Sequence, residues 1–245
     1  DPDAKVDTLS GGERRRVALC RLLLDARNAE IETAGVDISK DRIRAVRVGG
    51  TYDFVDRFSG ANLIDVQISQ GLNIFNASND GTLRTRADGK SDFTKANFDV
   101  THTHALPAGF SLYTGASGQY AFKRLLLAEQ YSLGGVNYGR AYDPSELSGD
   151  HALAGKAELR WGQFTNQEML QAYQLYAFYD VGRVWLIDTA SGDGSLASTG
   201  LGVRANFTNN IAGNLELAVP LTRDVANQGN HGGDPRLFFS VSASF

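Results

Sequence analysis

"LAGKAELRW", residues 153–161, decides the fold class because it sorts its residues by twos. Leu153, Gly155, Ala157, Leu159 and Trp161 share one face, and Ala154, Lys156, Glu158 and Arg160 share the other. A helix would mix these two sets, whereas successive side chains of a strand point to opposite sides. The same period recurs along the chain. Leu215, Leu217, Val219 and Leu221 alternate with Asn214, Glu216, Ala218 and Pro220; Leu237, Phe239, Val241, Ala243 and Phe245 alternate with Phe238, Ser240, Ser242 and Ser244. Ile64, Val66 and Ile68 oppose Asp65, Gln67 and Ser69, and Leu201, Val203, Ala205 and Phe207 oppose Gly200, Gly202, Arg204 and Asn206. About ten such segments are expected, near 29–38, 44–57, 63–73, 93–104, 110–122, 153–162, 173–186, 197–208, 212–222 and 236–245. Several have the roughly 9–11 residues that a tilted strand needs to cross a bilayer. Gly, Asn, Asp and Ser gather between them, as in "NASNDG" and "ASGDGS", which predicts an antiparallel meander.

Two all-β architectures fit this pattern. A soluble barrel or sandwich turns its apolar face inward, and a membrane barrel turns it outward. The polar face carries Lys156, Glu158, Arg160, Asp180, Arg204 and Glu216 on different strands, a set suited to a wet lumen or to solvent. Tyr52, Phe54, Trp161, Tyr173, Trp185, Phe207 and Phe245 near strand ends resemble interfacial girdles, so the periodicity favours the membrane barrel. No run of about 18 apolar residues occurs, which excludes a helical span and says nothing against a barrel. A formal net charge of −4 over 245 residues gives no reason to expect nucleic acid as the partner. The single cysteine is Cys20, and from Asp25 onward there is none, which suits an oxidising compartment. No signal peptide opens the chain.

The start reads differently. In "DTLSGGERRRVALCRLLL", residues 7–24, Ser10 and Glu13 have capping-box spacing, Gly11 and Gly12 allow close backbone approach, and Val17, Ala18, Leu22 and Leu23 would line a helix face. This segment resembles the signature region of ABC-F ATPases, which would make Ser10, Gly11, Gly12 and Glu13 vestigial nucleotide contacts. No complete G-x-x-x-x-G-K-[ST] loop accompanies it, and the chain leaves the pattern at "LLLDARNAE". Residues 1–24 are therefore read as a short helical segment of foreign or artefactual origin without catalysis, and residues 25–245 as the functional domain.

"IDVQISQGLNIFNAS", "FTKANFDVTHTHAL", the long stretch from "ASGQYAFKRLLL" to "GKAELRW", "LYAFYDVGRVW" and the closing "RLFFSVSASF" stand in order along residues 25–245. Together they resemble the C-terminal barrel of two-partner secretion transporters of the ShlB/FhaC/HecB haemolysin secretion and activation type. The resemblance implies a partial antiparallel transmembrane β-barrel, ten strands or so of a barrel of about sixteen, in the bacterial outer membrane. It implies a non-enzymatic translocator that exports a large partner exoprotein without ATP, cofactor or metal. Outer-membrane lipids and the barrel-assembly machinery are the other partners implied. A loop from about Lys123 to Asp150 would fold back into the lumen. Its tip "GRAY" sets Arg140 and Tyr142 in the places of a V-R-G-[YF] motif, with Gly139 for the valine and Ala141 for the glycine. In "FYDVG", Phe178, Asp180 and Gly182 match the wall motif [FG]-x-D-x-G. Independently, the period puts Asp180 on the polar face, where an arginine could form a bidentate pair with it.

Phe245, with Phe239 and Val241 behind it, resembles the C-terminal signal that outer-membrane barrels present for assembly. His102 and His104 share a face without a third metal ligand. Glu158 and Asp180 could be cast as a glycosidase pair, but read more simply as lumen charges. About eight strands give a filled interior and 16–18 an aqueous channel, so ten strands would be tight for a translocating chain. The chain is thus expected to be a fragment lacking periplasmic POTRA domains and about six strands, unable to secrete by itself. A passive pore or a ligand-binding barrel is the alternative, and a nucleotide-binding fragment the remote one.

Overall fold

The computed structural model describes residues 16–33, 36–78, 83–167, 169–207 and 210–244. Ten long strands form one antiparallel sheet: β1 (Arg16–Thr33), β2 (Val36–Val55), β3 (Ala61–Gly71), β4 (Thr94–Ala105), β5 (Phe110–Ala121), β8 (His151–Gln167), β9 (Leu170–Leu186), β10 (Thr189–Asn206), β11 (Ile211–Pro220) and β12 (Arg236–Ala243). They follow one another in chain order, broken only by a small hairpin, β6 (Tyr131–Leu133) with β7 (Leu147–Gly149), inside the β5–β8 connection. Among the described residues β1 does not pair with β12, so the sheet is open at both edges.

The alternation settles which face is which. Along β9, Tyr176, Phe178, Asp180 and Val184 are buried, while Leu175, Ala177, Tyr179 and Val181 between them are exposed. Leu153, Leu159, Leu201, Leu215, Leu237, Phe239 and Val241 are exposed on the same outer side of neighbouring strands. Apolar residues outside and charges inside are the arrangement of a barrel wall in lipid. The connections differ between the rims. Residues 56–60 and 106–109 make short turns at one rim, and at the other the chain between β5 and β8 and between β11 and β12, residues 122–150 and 221–235, makes long loops beside the short β9–β10 turn. Trp161 and Trp185 lie on the outer face near opposite rims. Leu175 is the register partner of Trp161, and Trp185 follows ten residues along the same strand. At about 3.3 Å per residue and a tilt near 40°, that spacing spans ~25 Å of membrane normal, the height of an outer-membrane apolar band.

Two expectations are corrected. Residues 16–24 are strand, not helix: β1 pairs with β2 from Arg16↔Phe54 to Thr33↔Val36 and runs unbroken past residue 24. Pairing a whole strand satisfies backbone groups that lipid cannot, which outweighs local helix preference. The segment expected at 29–38 is instead the end of β1 and the beginning of β2.

The inner face is not open to water throughout. The 122–150 loop folds back against it, and Leu133, Tyr138, Ala141 and Tyr142 of the loop form a core with Ala154, Tyr176, Phe178, Val184 and Leu196 of the wall. Nearer the long-loop rim, Leu125 and Leu126 pack with Ile43, Ala45, Phe93 and Ala121.

Candidate functional site: the folded-back loop and its anchors

The tip of the loop is fixed by one arginine among three carboxylates. Arg140 Nε donates to Asp180 Oδ2 at 2.9 Å and Nη2 to Asp180 Oδ1 at 2.9 Å, a bidentate pair. Its Nη1 donates to Glu158 Oε2 at 2.7 Å and to Glu216 Oε2 at 3.4 Å. The guanidinium lies 3.5 Å above the Phe178 ring centroid, so the aromatic face supplies the contact that carboxylates cannot. Asp180 also accepts the backbone N–H of Gly139 and of Arg140, each at 3.2 Å. Glu158 is shared with Arg160 at 2.6 Å and Arg204 at 2.7 Å, so three arginines face three acids in the interior. Burial pulls the Arg140 pKa down, but Asp180 and Glu158 outweigh it and hold the guanidinium above its usual value.

Local backbone freedom makes this geometry possible. Gly139 sits at φ +91°, where its amide can face Asp180, and a Cβ there would stand 2.5 Å from Leu196 Cδ1. Gly182, one inward position beyond Asp180, leaves the space that Leu133 fills; a Cβ would come within 2.6 Å of Leu133 Cδ1. Tyr142 is buried, and its hydroxyl donates to Ala197 O at 3.1 Å and lies 3.4 Å from Thr222 Oγ1. Arg236 of β12 donates to Ala141 O at 2.8 Å and to Asp143 at 2.7 Å.

The base of the loop carries two further carboxylates that the sequence analysis did not single out. Glu129, in a single 3₁₀ turn (Leu127–Glu129), accepts both Arg47 Nη groups at 3.1 and 2.6 Å and pairs with Lys95 at 3.0 Å. Asp150 accepts Arg86 at 2.6 and 2.9 Å, Leu125 N–H at 2.9 Å and Ile187 N–H at 3.0 Å. Burial alone would raise both pKa values, yet Arg47 and Lys95 for Glu129, and Arg86 with two backbone amides for Asp150, hold them below the usual carboxylate range. The one available signal was Glu129 as a lone acid after the apolar run "LLLA"; Asp150 in "SGDHAL" had none.

The remaining candidates lie apart from this cluster. Phe239 and Val241 are exposed on the outer face of β12. Phe245 and Ser10, Gly11, Gly12 and Glu13 lie outside the described residues. A G-K-S triplet does occur at Gly89–Ser91, with Arg84 where a phosphate loop needs its first glycine. It belongs to a loop whose Lys90 amide donates to Arg124 O. His102 and His104 stack 6.0 Å apart on the outer face, His102 bonding Asn62 at 2.8 Å, and no group of three His, Cys, Asp or Glu able to hold a metal occurs among the described residues. Glu158 and Asp180 both point at Arg140, which matches charges that position a loop rather than an acid and base around a substrate. Between loop and wall remains a cavity of about 1110 Å³ bordered by Asn97, Gln119, Lys156, Tyr176, Asn214 and Arg236.

A sequence model described as haemolysin secretion/activation protein ShlB/FhaC/HecB matches residues 18–205. Among curated proteins, a heme/hemopexin transporter protein HuxB of Haemophilus influenzae is 25% identical over 147 residues, 58% of this chain and 26% of its own length. A second HuxB, from the Rd strain of that organism, is 25% identical over 206 residues, 81% of this chain and 34% of its own length. Among solved structures, CdiB from Escherichia coli superposes with a TM-score of 0.80 at 19% identity, covering 94% of this chain and 42% of that one. The chain thus spans about a third or less of the length of the curated relatives it matches.

Proposed function

Because the chain belongs to the haemolysin secretion/activation protein ShlB/FhaC/HecB family, whose members are outer-membrane β-barrel transporters, we propose that it forms the loop-bearing part of a protein translocator. Its cargo would be a large secreted partner exoprotein, moved without ATP. The observation that carries this reading is the loop folded against the inner wall with Arg140 bound bidentately to Asp180. A tip held by a concentrated set of charge-assisted bonds has two discrete arrangements, paired and released, which suits a plug that must move. Tyr142, Phe178 and Gly182 complete the seat of the tip. Outer-membrane lipids would cover the apolar face, and β12, with Phe239 and Val241 on its outer face and Phe245 as the chain's last residue, would be the strand offered to the barrel-assembly machinery. The HuxB relatives bear transporter names, which agrees with transport as the shared activity.

Arg140→Ala in the full-length transporter should impair secretion of the partner while the barrel still assembles, as read from heat-modifiable mobility in outer-membrane fractions. Undiminished secretion would remove the tip from the mechanism. The cavity of about 1110 Å³ favours one second reading, a pore or small-ligand barrel. Steady conductance by the purified full-length protein, with no dependence on a partner, would select it.

A further inference from the structure

The tip anchor and the base anchor share no residue. The tip set joins Arg140 to β8, β9 and β11 through Glu158, Asp180 and Glu216. The base set joins Glu129 to β2 and β4 through Arg47 and Lys95, and joins Asp150 to Arg86, Leu125 and Ile187. Both base carboxylates are buried, with side chains 1% and 0% exposed. On Asp150 alone four chain segments meet: the loop's first limb at Leu125, its last residue, the β3–β4 loop at Arg86 and the β9–β10 turn at Ile187. Gln119 of β5 stitches the limbs together, its amide donating to Glu129 O at 3.3 Å and Asp150 O at 3.2 Å. Between base and tip stand the short β6–β7 hairpin, three glycines at positive φ, Gly134, Gly135 and Gly139, and on the returning limb the bonds of Arg236 to Asp143 and of the Ala226 amide to Glu146.

We propose that Asp150 and Glu129 form a neck clamp that keeps the base of the 122–150 loop on the wall when the Arg140 tip lets go. The loop then moves as a flap tethered at its neck and does not leave the lumen. This rests on the proposed reading of the tip as the displaceable part. Asp150 and Glu129 are positioning residues: they touch no cargo and act by limiting where residues 131–149 can go.

The test uses the full-length transporter in cells, with Cys20→Ser and Val136→Cys as background. Val136 is 85% exposed at the distal end of the loop, facing the interior. The probe is a membrane-impermeant, polyethylene-glycol-bearing maleimide, too bulky to enter a plugged lumen. Labelling should stay slow in the background, in Arg140→Ala, and in Glu129→Gln/Asp150→Asn with the tip intact. Combining all three substitutions should speed it by roughly tenfold or more, since charge-assisted bonds at both anchors are then gone. Arg86→Gln replaces Asp150→Asn as an independent way to break that pair, should the aspartate variant fail to assemble. Fast labelling in Arg140→Ala alone, or in the neck variant alone, would overturn the clamp, as would slow labelling in both combined variants. Secretion measured on the same cells keeps the two ideas apart: an Arg140→Ala variant that secretes normally removes the tip from the transport mechanism, while the comparison of labelling rates still judges the clamp.

Discussion

Arg140 shows why a buried charge can be tolerated and still be a point of weakness. Three carboxylates, an aromatic face and two adjacent backbone amides make its site favourable only as a complete set. Removing one partner leaves the others desolvated, so Asp180→Asn should lower stability by about 3–5 kcal/mol, read from urea unfolding in detergent. Arg140→Lys keeps the charge but loses the fork and the stacking, and should recover little of what Arg140→Ala loses in secretion. At the neck, pH is the lever. Glu129 and Asp150 have folded pKa values below their ordinary 4.5 and 3.8, so their contribution is complete above those values and falls away as pH drops through the lower folded ones. In Arg140→Ala, where the neck alone holds the loop, protease protection of residues 131–149 should therefore persist above those ordinary values and fail in stronger acid, and adding Glu129→Gln should weaken it at every pH. Asp180 was legible in the sequence because strand period assigns it a side, and Arg140 as its partner because "GRAY" resembles the family's tip motif. Glu129 and Asp150 were not, because loops have no period and their partners, Arg47 and Arg86, are 82 and 64 residues distant.

At the scale of elements, the alternation that reveals strands also fixes which substitutions they tolerate. Val181 is an outer-face residue of β9 between inward Asp180 and Gly182. Val181→Arg should cost about 2–4 kcal/mol in lipid while leaving the Arg140 seat untouched, visible as a lower urea midpoint of the folded, heat-modifiable form. Segments with clean polar and apolar alternation were legible as strands, 212–222 to within two residues of β11, while β8 runs five residues past the expected 153–162. The stretch from Leu19 to Leu24 was not legible as one. Its single arginine and four leucines fit a helix as well as a strand, and only the partner strand β2, invisible in a local window, decides between them. The hairpin β6–β7 escaped for the same reason, its three-residue strands being too short to show a period.

At the scale of the whole molecule, ten strands make a wall and not a tube. β1 and β12 each present a free edge among the described residues, and lipid does not accept unpaired edges. Further strands between β12 and β1 would close the sheet and widen it beyond the filled interior of small barrels. The chain reconstituted alone should accordingly lack the heat-modifiable mobility of closed barrels and acquire it when such strands are supplied.

The two tryptophans give this architecture an optical signature. Trp161 donates its indole N–H to Ala108 O at 3.2 Å beside Tyr173, and Trp185 lies under Arg183 at the other rim. With no third indole in the chain, intrinsic emission comes from two depths about a membrane apart. A water-soluble quencher added to one side of a sealed vesicle should therefore extinguish about half the fluorescence, and a bromine placed at mid-bilayer almost none, so that sidedness and depth can be read from light without a label.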